Sequence, residues 1–159
     1  MMNTATAQNV SIADNSHIHS AYAMRKIPTK FAHSNNDQVN TRAVSEVIIP
    51  SFADNNAIIT PIIASLTQQT SDRWTTLITS RTVDKALLES LGAELSRLRI
   101  VYVAANADAR WVIWQALAQG NSHNVIAEQT YFDTSDIEAM EVAAVEGKCN
   151  GILVSCTLS

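Results

Sequence analysis

Ser51, Asp54, Ser80 and His123 set the terms for any catalytic reading of this chain. A serine nucleophile needs an imidazole within hydrogen-bond reach and a carboxylate behind it. Ser51 and Asp54 follow the apolar segment 44–49, Ser80 closes the segment 74–79, and His123 precedes the segment 124–129. If these segments are parallel strands, the two serines and Asp54 lie at the strand C-terminal ends, where α/β enzymes gather their reactive groups. His123 then lies at the opposite end of the sheet, out of reach. These residues read as caps and turn residues, and no catalytic residue is assigned. The first strand–helix turn, Pro50-Ser51-Phe52-Ala53-Asp54, is equally uninformative for phosphate. The chain has no glycine before Gly92 and no Gly-Lys-Ser/Thr anywhere, whereas a phosphate-cradling turn needs glycines so that backbone N–H groups can wrap the anion. No cofactor and no small-molecule substrate is expected. A nucleotide-type scaffold without its nucleotide site points to a protein that works by binding another protein.

Metal chemistry is no better supported. His17, His19 and His33 are scattered through a polar N-terminal segment with no second ligand cluster nearby, and no metal ligand is assigned. Cys149 and Cys156 match neither a CxxC redox pair nor a zinc knuckle. Their odd separation along a strand puts them on opposite faces, which disfavours a disulfide; a buried, reduced pair and a cytoplasmic home are expected.

Two stretches carry the residue types of interfaces. Arg73-Trp74 opens a strand, and Arg and Trp are the types most enriched at interaction hot spots; a core Trp beside a solvated Arg is the plainer alternative. Arg110-Trp111-Val112-Ile113-Trp114 falls on a helix where Trp111, Trp114 and Ala118 share a face. That apolar arc is wider than one buried stripe requires, so part of it faces a partner, such as a second copy, or else the helix is deeply buried. Arg97 and Arg99 precede a third strand, with Arg81, Lys85 and Arg73 elsewhere, forming either a basic patch or solvated flanks of buried strands.

The elements that position these residues read clearly. Residues 1–42, rich in Asn, Ser, Thr and Ala, form a disordered or weakly ordered tail, and residues 43–157 form the domain. Strands are expected at 44–49, 74–79, 100–103, 124–129 and 151–155, and helices at about 55–69, 83–91, 108–119 and from 135 to 147. Asp54 and Asp108 are candidate N-caps, Ser135 and Glu138 fit a capping box, Gly92 and Gly120 sit at C′ positions, and Pro61 should bend or delay its helix. This alternation implies an α/β fold with a mostly parallel sheet flanked by helices on both sides; the strand order does not follow from it. The net charge of −4 argues against a nucleic-acid partner. No apolar run approaches the ~18 residues needed to cross a bilayer, and the first residues lack the pattern of a secretory signal.

Val44-Ser45-Glu46-Val47, Arg73-Trp74, Ala116-Leu117 followed by Gly120-Asn121, and Ala143-Ala144 through Glu146-Gly147 to Gly151-Ile152-Leu153 occur in an order and spacing that resembles the bacterial SulA family of cell-division inhibitors. The resemblance spans about residues 44–154. It implies a RecA-like core without the phosphate loop, in agreement with the glycine-free turn. It also implies an SOS-response protein that binds the tubulin-like GTPase FtsZ, acts as a dimer without catalysis, and blocks septation by withholding FtsZ from the polymerising pool. By mass action such an inhibitor must approach its target in concentration. Carried over by position, Arg73 and Arg97 would be charged contacts to FtsZ, Ile78 an apolar contact, and Trp74 a contact or a structural residue, while Leu87 stands where enteric members carry a tryptophan. Arg110, Trp111 and Trp114 depart from the family pattern and mark a dimer or partner surface. The sequence ends at Ser159 without the His-terminated tail that marks enteric members for proteolysis, so rapid turnover is not implied. Two other readings keep the scaffold: an accessory protein that binds RecA or a translesion polymerase, or a small α/β enzyme with converging polar groups at its strand ends.

Overall fold

Apolar runs alternating with helical periods leave few ways to bury both, and the chain takes the doubly wound one. The computed structural model describes residues 42–157; the expectations for the segment 1–42, with His17, His19 and His33, lie outside it save for Arg42. In chain order the elements are β1 (Val44–Ile49), a 3-10 turn (Phe52–Asp54), α1 (Asn55–Thr67), β2 (Trp74–Thr79), α2 (Lys85–Ser90), a second 3-10 turn (Leu95–Arg97), β3 (Leu98–Tyr102), α3 (Arg110–Ala118), β4 (Ser122–Glu128), α4 (Thr134–Gly147) and β5 (Asn150–Cys156). The five strands form one sheet in the order β1-β5-β4-β2-β3, with every neighbouring pair parallel.

The chain crosses from β1 to β2 to β3 with α1 and α2 on one face, then returns through β4 to β5 with α3 and α4 on the other. Side-chain alternation along β2 feeds both layers. Leu77 joins Ile59, Ile63 and Leu88 beneath α1 and α2, while Ile78 joins Ile113, Leu117, Met140 and Ala143 beneath α3 and α4. Burial on both faces covers the apolar runs Leu77-Ile78, Val125-Ile126-Ala127 and Leu153-Val154 of the central strands. Cys149 belongs to the second layer and Cys156 packs on the first; both thiols are free. No helix among the described residues is long and apolar enough to cross a membrane.

The α/β expectation stands, with local corrections. Asp108 is not the N-cap of α3: that position falls to Ala109, and the Asp108 carboxylate instead accepts the Arg110 N–H at 3.0 Å. The capping box of α4 is built by Asp133 and Asp136 rather than by Ser135 and Glu138. Pro61 sits within an unbroken α1. Gly120 has φ +70° as a C′ glycine should, but Gly147 is the last residue of α4 and the left-handed position falls to Lys148 at φ 49°. Gly147 answers a different need. A Cβ there would lie 1.9 Å from the Leu117 carbonyl oxygen, so only glycine lets α4 come this close to α3.

Candidate partner-binding surface

In a doubly wound sheet a ligand crevice opens at the strand C-terminal ends where neighbouring strands send their helices to opposite faces. Here those neighbours are β2, followed by α2, and β4, followed by α4. The crevice between them is partly occupied by an ion pair. The Glu128 carboxylate, with its side chain 6% exposed, takes Arg81 Nη2 at 2.8 Å, Arg81 Nε at 3.2 Å and the Thr79 hydroxyl at 2.6 Å. Arg81 Nη1 donates to the Phe52 carbonyl oxygen in the β1–α1 turn, and the guanidinium lies 5.1 Å from the Phe52 ring centre. A cavity of about 200 Å³ remains beside this pair, lined in part by Thr60, Thr79, Arg81 and Glu128. Ser51 takes the Ala53 N–H at 3.0 Å, the contact of a turn residue. His123, inside β4 at its first turn, is at the far end of the sheet. No group of three or more His, Cys, Asp or Glu side chains among the described residues is placed to hold a metal.

The strand N-terminal end gathers most of the residues with interface character. Thr75 of β2 pairs with Leu98 of β3, which sets Trp74 and Arg97 side by side at the strand entrances. On the other side Trp74 pairs with Ser122 of β4, its N–H bonded to the Asn121 oxygen at 3.2 Å. Trp74 is 42% exposed. Arg97 is half-buried, and its Nη1 donates to the Gln69 oxygen at 2.9 Å. Beneath them a polar network fixes the end of the sheet. Arg99 donates to the hydroxyls of Thr76 and Ser122 and to Asn121 Oδ1, and Thr76 and Ser122 share a 2.8 Å hydrogen bond.

Arg73 has an internal task that its sequence position conceals. Its Nη1 donates to the oxygens of Gly120 at 3.4 Å and Gly147 at 3.1 Å, and its Nη2 to the Lys148 oxygen at 2.8 Å, with His123 Nδ1 at 3.3 Å. Helices α3 and α4 both end here, so one guanidinium satisfies free carbonyls of two helix C-termini and meets the negative ends of both dipoles. Its acceptors are backbone atoms far away in sequence, and no side-chain type announces them.

The other expected residues separate. Ile78 is 0% exposed and packed under α3 and α4. This corrects its reading as an apolar contact to a partner: the alternation that exposes one face of an edge strand buries both faces of β2. Leu87 is half-buried on α2, and its N–H is capped by Asp84 at 3.0 Å. Arg110 is engaged within the chain, to Asp108 at 3.2 Å and through Nε to Asp136 at 2.9 Å, and so ties α3 to the start of α4. Trp111 and Trp114 stack with ring centres 5.2 Å apart and 13° between planes. Trp114 packs on the core while Trp111 stays 37% exposed, so the aromatic arc is divided between core and surface. The Arg81–Glu128 pair was missed in the sequence because nothing local couples two residues 47 positions apart.

No protein-family profile matches the chain, and no curated protein matches it in sequence. Among solved structures, the chain is similar to SulA from Pseudomonas aeruginosa, with a TM-score of 0.63 and 22% identity over 72% of this chain and 98% of that one. The fold is SulA-like. The region covered is close in extent to the described domain, and the match is to the whole of the other protein rather than to a fragment of it.

Proposed function

We propose that this chain is a cell-division inhibitor that binds FtsZ, the partner implied by its SulA resemblance, and withholds it from polymer. The observation that carries this reading is the arrangement at the strand N-terminal end of a SulA-like sheet: an exposed Trp74 between Arg73 and Arg97, on a framework fixed by Arg99, Thr76 and Ser122. An aromatic anchor with arginines around it on a rigid base is the anatomy of an interaction hot spot. At the other end Arg81 and Glu128 are spent on each other, which supports action by binding and not by catalysis. The chain would work in the cytoplasm, where FtsZ is, as part of the response to DNA damage. Trp74 and Arg97 are proposed as direct contacts, Arg73 as a contact that also holds the surface together, and Leu87, on α2, as a separate apolar contact.

The test is pelleting of FtsZ with GTP while the protein is titrated from substoichiometric to excess ratios. The expected outcome is polymer that falls in step with added protein, with no nucleotide consumed by the protein itself. Undiminished polymer at several-fold excess would move the partner elsewhere, and RecA binding would then be measured.

A further inference from the structure

Where the sheet passes beneath the end of α1, one row of side chains is polar and the next is not. Thr75 of β2 stands beside Asn124 of β4, and Asn124 beside Asn150 of β5. Further along the same strands and on the same face, Leu77, Ile126 and Ile152 make an apolar row. Thr75 and Asn124 are buried, Asn124 to 1% exposure. A buried amide costs free energy unless it is hydrogen-bonded, and an apolar side chain would close the row without that cost. The bonds of Asn124 show what the amide supplies. Its Nδ2 donates to Gln69 Oε1 at 3.2 Å and lies 3.5 Å from Thr75 Oγ1, while its Oδ1 accepts from Asn150 Nδ2 at 3.5 Å. The Thr75 hydroxyl donates in turn to the Leu66 oxygen at 3.4 Å. The row therefore grips the end of α1 at two points, and one of them is Gln69, an exposed residue just past the helix. The carbonyl oxygen of that same Gln69 takes Arg97 Nη1 at 2.9 Å.

We propose that Asn124 is a positioning residue for the partner-binding surface: acting through Gln69, it sets where the Arg97 guanidinium stands. The assignment rests on the inhibitor reading of that surface and names a buried residue on which Arg97 depends. Gln69 lies in the α1–β2 connection, beyond the last residue of α1. Its N–H reaches the Leu66 oxygen at 3.3 Å, a contact within the same turn. Its side-chain bond to Asn124 is what ties this turn down to the sheet. With the amide in place, Arg97 meets an acceptor whose position is set from the core. Without it, Gln69 moves with its loop, and the long arginine side chain regains rotamers that it must give up again on binding. The dependence runs one way, from a buried amide to a half-buried cation, and the amide itself touches no partner.

NMR relaxation of the Arg97 Nε–H signal in the full chain tests it without any partner, on the native protein and on Asn124→Leu, Gln69→Ala and Gln69→Glu. The signal should be ordered in the native chain and in Gln69→Glu, which keeps an acceptor for the Asn124 amide. It should lose order in Asn124→Leu and in Gln69→Ala, while the Arg81 signal stays as it was in all four. FtsZ titration on the same samples supplies the second readout. Asn124→Leu and Gln69→Ala should each weaken binding by about fivefold, and neither should weaken it further once Arg97 is alanine. If Asn124→Leu does not fold, Gln69→Ala, at an exposed residue, decides the matter. An Arg97 signal that keeps its order in Gln69→Ala would overturn the proposal whether or not FtsZ binds, as would a binding loss that persists in the Arg97→Ala background. FtsZ that ignores the native chain would instead sink the inhibitor reading, and with it the partner role given to Arg97.

Discussion

The two ends of the parallel sheet have opposite designs. At the C-terminal end, where α/β proteins usually keep their chemistry, Arg81, Glu128 and Thr79 bond to one another and to the Phe52 carbonyl. Charge there is matched inward. At the N-terminal end, Arg73, Arg97 and Arg99 all donate to carbonyl, amide or hydroxyl oxygens and not to carboxylates. Neutral acceptors fix the position of a guanidinium without cancelling its charge. The second end therefore holds its arginines in place around an exposed Trp74. The difference teaches how one scaffold can match charge inward at one end of its sheet and leave an aromatic side chain exposed at the other.

The largest expected effect belongs to the closed end. Glu128→Ala leaves Arg81 facing a space once filled by a carboxylate and takes away the acceptor of the Thr79 hydroxyl. Breaking a fully buried pair from one side costs 3–5 kcal/mol, and because the Arg81 side chain is 35% exposed a loss of about 2 kcal/mol of folding stability is expected. FtsZ inhibition per folded molecule should stay the same. Chemical denaturation followed by pelleting at matched folded concentrations checks both parts. A stable variant with weakened inhibition would erase the contrast between the ends.

Arg73 and Trp74 sharpen the comparison because they are adjacent in sequence and divided in task. Arg73→Ala should cost about 1–2 kcal/mol of stability, since the carbonyls of Gly120, Gly147 and Lys148 lose a charged donor. Trp74→Ala should cost less than about 1 kcal/mol of stability, as an exposed residue does, yet weaken FtsZ binding by about 2 kcal/mol as an interface anchor. Thermal melts and a binding titration on both variants separate the roles. Equal stability losses for both would remove the clasp reading of Arg73.

How much of this was legible in the sequence follows from what each feature depends on. Element positions depend on local period and turn residues, so β2 at 74–79 and α1 from Asn55 could be read directly. Strand order depends on which helices cover which face, and that information is spread over the whole chain. Arg73-Trp74 announced an interface by type, but the clasp made by Arg73 uses backbone oxygens contributed by two helix ends. Ile78 was carried over by position from the family resemblance, and position along a strand does not say whether its face is covered, as it is here. Gly147 looked like a helix stop, and only the packing of α4 against Leu117 shows that it is a point of contact.

The smallest effect concerns Cys149, which is buried just before β5 at the clasped end. Burial raises its thiol from an ordinary value of 9.0 to about 11, against the opposing pull of the Arg73 charge. A thiol whose folded value is raised favours the fold while both states are protonated. That contribution is complete below pH 9.0 and is lost as the pH rises toward about 11, because the unfolded chain gives up the proton first. The native chain should therefore lose stability across this window, and Cys149→Ala should lose less. Arg73→Ala removes the charge that favours the thiolate, so the loss should still begin near 9.0 but extend to higher pH and grow in size, while the baseline stability drops. Denaturation midpoints measured on the three proteins across that range check the argument. If Arg73→Ala left the alkaline limb where it was, the guanidinium would not be acting at the ends of α3 and α4, and the clasp would lose its second, independent support.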